Sequence, residues 1–170
     1  MRRSSMFMVV MLLCLSVACW VFAQDDVKKY PSCKYCGMDR EKFSHSRILI
    51  EYGDGTTEGM CSLHCVAVDL AIHIDRIPKN IWVGDYNSKK LVHAKKASWI
   101  IGGNKMGVMS RRAKWAFEKK EDAERFKAEN GGELATFEQA VKAAYEDMYA
   151  DTKMIRERRK MRKMEHKKPS

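Results

Sequence analysis

Two pairs of cysteines constrain this chain more than any other feature. Cys33-x2-Cys36 and Cys61-x3-Cys65 stand 24 residues apart. Between them, "SRILIEYGDGTTEGM" reads as a β-hairpin: Ile48 and Ile50 alternate with polar neighbours, and Asp54-Gly55 supplies turn residues that tolerate positive φ. The second pair opens "CSLHCVAVDLAIHIDRI", whose apolar residues Leu63, Val66, Ala67, Leu70, Ala71 and Ile74 recur at helical spacing behind a candidate N-cap, Ser62. Pro78 closes that segment. A knuckle, a hairpin and a helix start are the parts that bring four thiolates onto one metal ion in treble-clef-like sites. The spacing predicts that the four sulfurs meet. It leaves open whether they hold structural zinc, hold a softer ion or pair as disulfides.

The compartment bears on that choice. Arg2 and Arg3 precede an apolar run from Met6 to Phe22, and Val21-Phe22-Ala23 offers a small-residue exit before Gln24. This is the layout of a secretory signal peptide over residues 1–23. The run is short for a spanning helix and is followed by Asp25 and Asp26. "LSVAC" also resembles a lipoprotein processing box ending at Cys19, which would anchor the chain to a membrane. The twin arginines lack the wider Tat pattern. Cleavage after Ala23 leaves a periplasmic chain of about 147 residues carrying Cys33, Cys36, Cys61 and Cys65.

The net charge of +10 overstates the basicity of the body. Nine Lys or Arg against three acids lie between Asp151 and Ser170, so a basic tail, residues 151–170, follows a nearly neutral domain, residues 24–150. Export and a charge confined to a tail argue against nucleic acid as a partner. The tail reads as a solvated extension or as a contact for anionic lipid headgroups or an acidic partner surface. In it Met161, Met164 and His166 lie close enough in sequence to capture copper weakly.

Further along, "NIWVGDYNSKKLVHAKKASWIIGG" reads as a second pair of strands about an Asn-Ser turn, continuing to Ile101. A glycine-rich loop, "GGNKMGVMSRR", leads to the strand "AKWAF". An amphipathic helix follows, stopped by Asn130, Gly131 and Gly132. After the short strand "ELATF", Thr136 and Gln139 form a capping box for a long C-terminal helix with the stripe Ala140, Val141, Ala144, Tyr145 and Met148. Past Tyr149 the stripe thins and nothing in the pattern obliges the chain to pack. Hairpin–helix, then strands–helix–strand, predicts an α+β fold of two related ββα-type halves.

Methionines argue for a soft metal. Met38 follows the first cysteine pair by two and Met60 precedes the second. Met106 and Met109 lie in the glycine-rich loop, where Gly102, Gly103 and Gly107 are expected to leave the backbone mobile. Thioethers are poor zinc ligands and good ones for Cu(I). Core filling is the ordinary use of methionine, but Met106 has no apolar neighbours to fill a core with. His64, between Cys61 and Cys65, offers an imidazole, although it lies off the apolar stripe and reads as solvent-facing. His45, His73 and His93 have no supporting spacing. No Gly-x-Ser-x-Gly, His-Glu-x-x-His or phosphate-cradling loop is present. A thioredoxin-like pair would have to start a helix, which Gly37 opposes. Neither an enzyme nor a small-molecule substrate is expected.

"CKYCGM", the "DG" turn, "IWVGDYNSKKLVHAKKASWIIGG", "KMG" and "KWAFEKKEDAERFKAENGGELATFEQA" together resemble the NosL family of nitrous oxide reductase accessory lipoproteins, from about Cys33 to Val141. The resemblance implies two ββα-type halves and an exported Cu(I)-binding protein that passes copper to nitrous oxide reductase or another exported copper enzyme. It aligns the family's "CGM" with Cys36, Gly37 and Met38, and its "MG" methionine with Met106. Four features depart from the family: the box ending at Cys19 fits its usual lipoprotein pattern loosely, Cys61 and Cys65 are not general to it, Val108 or Met109 stands where some members carry histidine, and the basic tail is additional.

Overall fold

The structure is a computed structural model that describes residues 25–165. The signal segment, Cys19 and His166 lie outside the described residues. The elements run α1 (Asp25–Lys29), β1 (Ile48–Tyr52), β2 (Thr57–Met60), α2 (Leu63–Ile72), β3 (Pro78–Gly84), β4 (Leu91–His93), β5 (Ser98–Ile101), β6 (Lys114–Phe117), α3 (Lys120–Asn130), β7 (Glu133–Ala135) and α4 (Phe137–Glu165). The expected α+β architecture is present, with the ββα order in β1–β2–α2 and again in β5–β6–α3. Among the described residues no helix is long and apolar enough to cross a membrane.

The first sheet has the order β2-β1-β3-β4, antiparallel throughout, and the second the order β6-β5-β7. The hairpin forms as its alternation predicts, with Ile48 opposite Met60 and both fully buried. The second expected pair of strands is instead divided between the sheets: β3 and β4 complete the first, and β5 opens the second. Asp85 explains the turn. Its buried carboxylate accepts the amides of Asn87 and Ser88 at 3.2 and 2.6 Å and, across the halves, that of Glu118 at 2.9 Å. One acid thus closes the β3–β4 turn and ties it to the end of β6.

Strand β5 is apolar on both faces because both faces are covered. Trp99 and its partner Ala116 join the core formed with Phe137, Ala140 and Ala144 of α4. Ile100 and its partner Trp115 join a second core with Phe117, Ala123 and Phe126. A large apolar side chain such as Ile100 or Phe117 contributes about 1.5–3 kcal/mol when fully buried.

Several local expectations change. α2 ends at Ile72, before Pro78, which begins β3; Ile74 lies beyond the helix and is exposed. Ser62 occupies the N-cap position without a side-chain cap bond; its hydroxyl lies 3.8 Å from the Cys61 sulfur instead. The Thr136–Gln139 capping box forms in both directions, at 2.8 and 3.3 Å. The glycine-rich loop is not freed by its glycines: a Cβ on Gly103 would lie 2.8 Å from the Asn130 carbonyl, so Gly102-Gly103 and Gly131-Gly132 pack as two backbones in close approach.

α4 runs unbroken past Tyr149, and the chain there does pack. Asp151 and Met154 are buried, and Asp151 meets His64 in the first turn of α2 and the Arg111 amide of the methionine loop.

Candidate metal centre

The knuckle is shaped by its own backbone. Cys33 donates its amide to the Met38 carbonyl at 2.8 Å, and Gly37 donates to the Cys33 carbonyl at 3.0 Å. Gly37 has φ +73° with open space around its missing Cβ, so backbone conformation, not crowding, calls for glycine there. Arg40, fully buried, fastens the knuckle from behind. It donates to the carbonyls of Met60, Asp26, Tyr30 and Ile48 and to the Asp26 carboxylate, which also takes Arg47.

From the other side the hairpin delivers Cys61, and the first turn of α2 delivers Cys65. The four sulfurs lie within 4.8 Å of one another. Cys36–Cys61 is 3.4 Å and Cys61–Cys65 is 3.8 Å, and all four are free thiols. A tetrahedral ion with metal–sulfur bonds of about 2.3 Å spaces its sulfurs by about 3.8 Å. Cys33, Cys61 and Cys65 are buried, while Cys36 is half-exposed.

The thiols divide electrostatically. Hydrogen bonds from Cys36, Cys61 and Cys65 hold Cys33 well below the usual thiol range. Cys36 feels Cys33 pushing it up, but bonds from Cys61 and Cys65 bring it down overall. Cys61 and Cys65 are pushed up, chiefly because they donate to Cys33 and Cys36. The four sulfurs thus share their hydrogen bonds as one set, with the knuckle pair held down and Cys61 and Cys65 pushed up.

His64 is not solvent-facing. It is 6% exposed, its Nδ1 lies 3.7 Å from Asp151 Oδ2, and burial lowers its pKa. It turns inward because α4 covers that side of α2, toward Asp151, and it is not among the ligand atoms grouped with the four sulfurs. Asp151 also accepts the Arg111 amide at 3.0 Å, linking α4 to the loop that carries the methionines. Met60 is core filler.

Met38, Met106 and Met109 meet Cys36 along one groove of about 1010 Å³. Met106 is 64% exposed and rests against Arg158 Nη2 at 3.5 Å. Met109 is half-buried with φ +61°, an uncommon conformation for a residue with a side chain. His45, which has no supporting spacing in the sequence, lines the same groove, beside Phe43, edge-on to Tyr86 and tilted against Trp115. Arg40 likewise had no sequence signal as a site residue, since its partners are remote. A second groove, of about 800 Å³ beside Leu70, Ile81, Phe137 and Tyr145, is lined by no cysteine or methionine.

The family model of NosL matches residues 24–145. The chain belongs to the NosL family. The crystal structure of the copper chaperone NosL from Shewanella denitrificans matches with a TM-score of 0.50 at 22% identity, over 63% of this chain and 87% of that one. At that identity the likeness bears on fold. No curated protein matches the chain. The span of the NosL match takes in all four cysteines and the three groove methionines, whereas Asp151, Met154 and Arg158 of α4 lie beyond it.

Proposed function

We propose that this NosL-family chain is an exported carrier of Cu(I), bound at the cysteine cluster and handed on by ligand exchange. The observation that carries the reading is the convergence of Cys33, Cys36, Cys61 and Cys65, one of which, Cys36, lines a groove together with Met38, Met106 and Met109. Thiolate and thioether sulfur are the ligands a soft monovalent ion prefers. Two or three thiolates are enough for Cu(I), and thiols this close give up protons to a bound cation. Cys36, half-exposed, is the exit ligand, and the methionines receive the ion outside it. No bond in a substrate is made or broken, so the role is carriage, not catalysis. The recipient implied by family is nitrous oxide reductase or another exported copper enzyme. Residues 1–23 supply export, with lipid anchoring at Cys19 the alternative to cleavage after Ala23; residues 24–150 are the metal-binding domain and 151–170 its basic extension.

Structural zinc is the second reading, favoured by the 3.4 and 3.8 Å sulfur separations and by the burial of three of the four thiols. Anaerobic titration with Cu(I) against a competing chelator separates the two when repeated on Cys36→Ser and Met106→Leu. The carrier reading expects tight binding that weakens at least about tenfold in Cys36→Ser and measurably in Met106→Leu. Stoichiometric zinc in the purified protein, with copper binding absent, would sink it.

A further inference from the structure

Met154, Ile155, Arg158, Arg159, Arg162 and Lys163 recur at the spacing of a single helical face. That face of α4 forms one side of the groove that holds Cys36, Met38 and Met106. Two contacts fix it there: Arg158 Nη2 lies 3.5 Å from the Met106 sulfur, and Arg159 Nη2 donates to the Cys36 carbonyl at 3.4 Å. Four cations therefore line the approach to the soft ligands, and among the described residues no carboxylate lines it. A bare copper cation entering this groove meets fixed like charges within about one Debye length, roughly 8 Å at physiological salt. An anion is drawn in. The groove's volume of about 1010 Å³ is that of a site for a molecule, not for an ion alone.

We propose that copper enters this groove as a small anionic Cu(I) complex, recognised by the basic face of α4. This rests on the carrier reading above and adds the chemical form of the cargo. The complex docks against Arg158, Arg159, Arg162 and Lys163. Thioether sulfur of Met106 or Met38 adds to copper as one donor ligand leaves with its own electron pair and charge. Cys36 sulfur then displaces the next ligand, and the proton of Cys36, where it carries one, passes to the departing anion. Copper remains Cu(I) throughout and no electron is transferred.

The test is anaerobic stopped-flow uptake by the full-length protein from two donors, the anionic bis-bicinchoninate complex of Cu(I) and the cationic acetonitrile complex. Raising salt from about 20 mM to about 0.5 M should slow uptake from the anionic donor about tenfold or more and leave the cationic donor unslowed. Joint substitution R158E/R159E/R162E/K163E should slow the anionic donor by a similar factor and not the cationic one. The milder R158Q/R162Q pair serves if the quadruple variant misfolds, and the wild-type salt series needs no variant. Uptake independent of salt, or slowed equally for both donors, overturns the inference while leaving the carrier reading intact. No copper bound at equilibrium from either donor overturns both.

Discussion

Tyr35 lies between the knuckle cysteines, and its hydroxyl donates to the carboxylate of Asp69 on α2, as does that of Tyr52 on β1. Burial, then the Asp69 bond, pushes the Tyr35 hydroxyl above its ordinary pKa, so the neutral donor form is the one the fold keeps. Since Cys61 and Cys65 precede and enter the same helix, this clamp sets the distance between the two halves of the thiol cluster. Asp69→Ala leaves the Tyr52 hydroxyl buried without its acceptor and should cost about 2–3 kcal/mol in urea unfolding, with Tyr35→Phe costing about 1 kcal/mol. The latter should also loosen metal retention, readable as faster release to a chelator. At this scale the cysteines are legible in the sequence because their spacing is local. Asp69 is not, since it meets Tyr52 across 17 positions and Tyr35 across 34. His64 misleads for a related reason: its helix stripe is read against one neighbour, and the structure supplies two.

Among the elements, the loop from Gly102 to Arg112 holds the methionines in place by what fixes its ends. At one end Gly103 has φ +88° and abuts the Asn130 carbonyl, so Gly103→Ala is strained in both conformation and space. A loss of about 1–3 kcal/mol is expected, with weaker Cu(I) binding as Met106 shifts. At the other end Lys114 and Arg112 both reach Asp147 of α4, at 2.5 and 2.9 Å. Burial alone would raise the Asp147 pKa, but the bonds from Arg112 and Lys114 hold it below the usual carboxylate range. A lowered carboxylate favours the folded state above its unfolded value of about 3.9, and that contribution is lost as pH falls through its folded value. Asp147→Asn should therefore be less stable than wild type near pH 7, with the difference closing below about pH 4; urea midpoints at the two pH values check this. The strands, α3 and the Thr136–Gln139 cap follow from periodicity and local chemistry. Which sheet β5 joins does not, because Trp99 and Ile100 face two different cores and an apolar run carries no sign of that.

For the molecule as a whole, α4 is the element that joins fold to site. Its first turns complete the core through Phe137, Ala140 and Ala144, and its later turns place Asp151 beside His64, Met154 in the interior and the basic face along the groove. The thinning apolar stripe past Tyr149 hides this, because a site covered by one aspartate, one methionine and several arginines leaves no periodic apolar trace. Ending the chain after Ala150 should cost about 2–5 kcal/mol through the loss of buried Met154 and of the acceptor for the Arg111 amide, with faster loss of bound Cu(I). The central claim is that the four-thiol cluster beneath the methionine groove carries Cu(I). Its most direct test is to load the protein with one equivalent of zinc, add one equivalent of Cu(I) without oxygen, and measure the metal that stays with the protein after desalting. The account predicts that copper remains and zinc is released. Zinc retained, with copper recovered free, would contradict it.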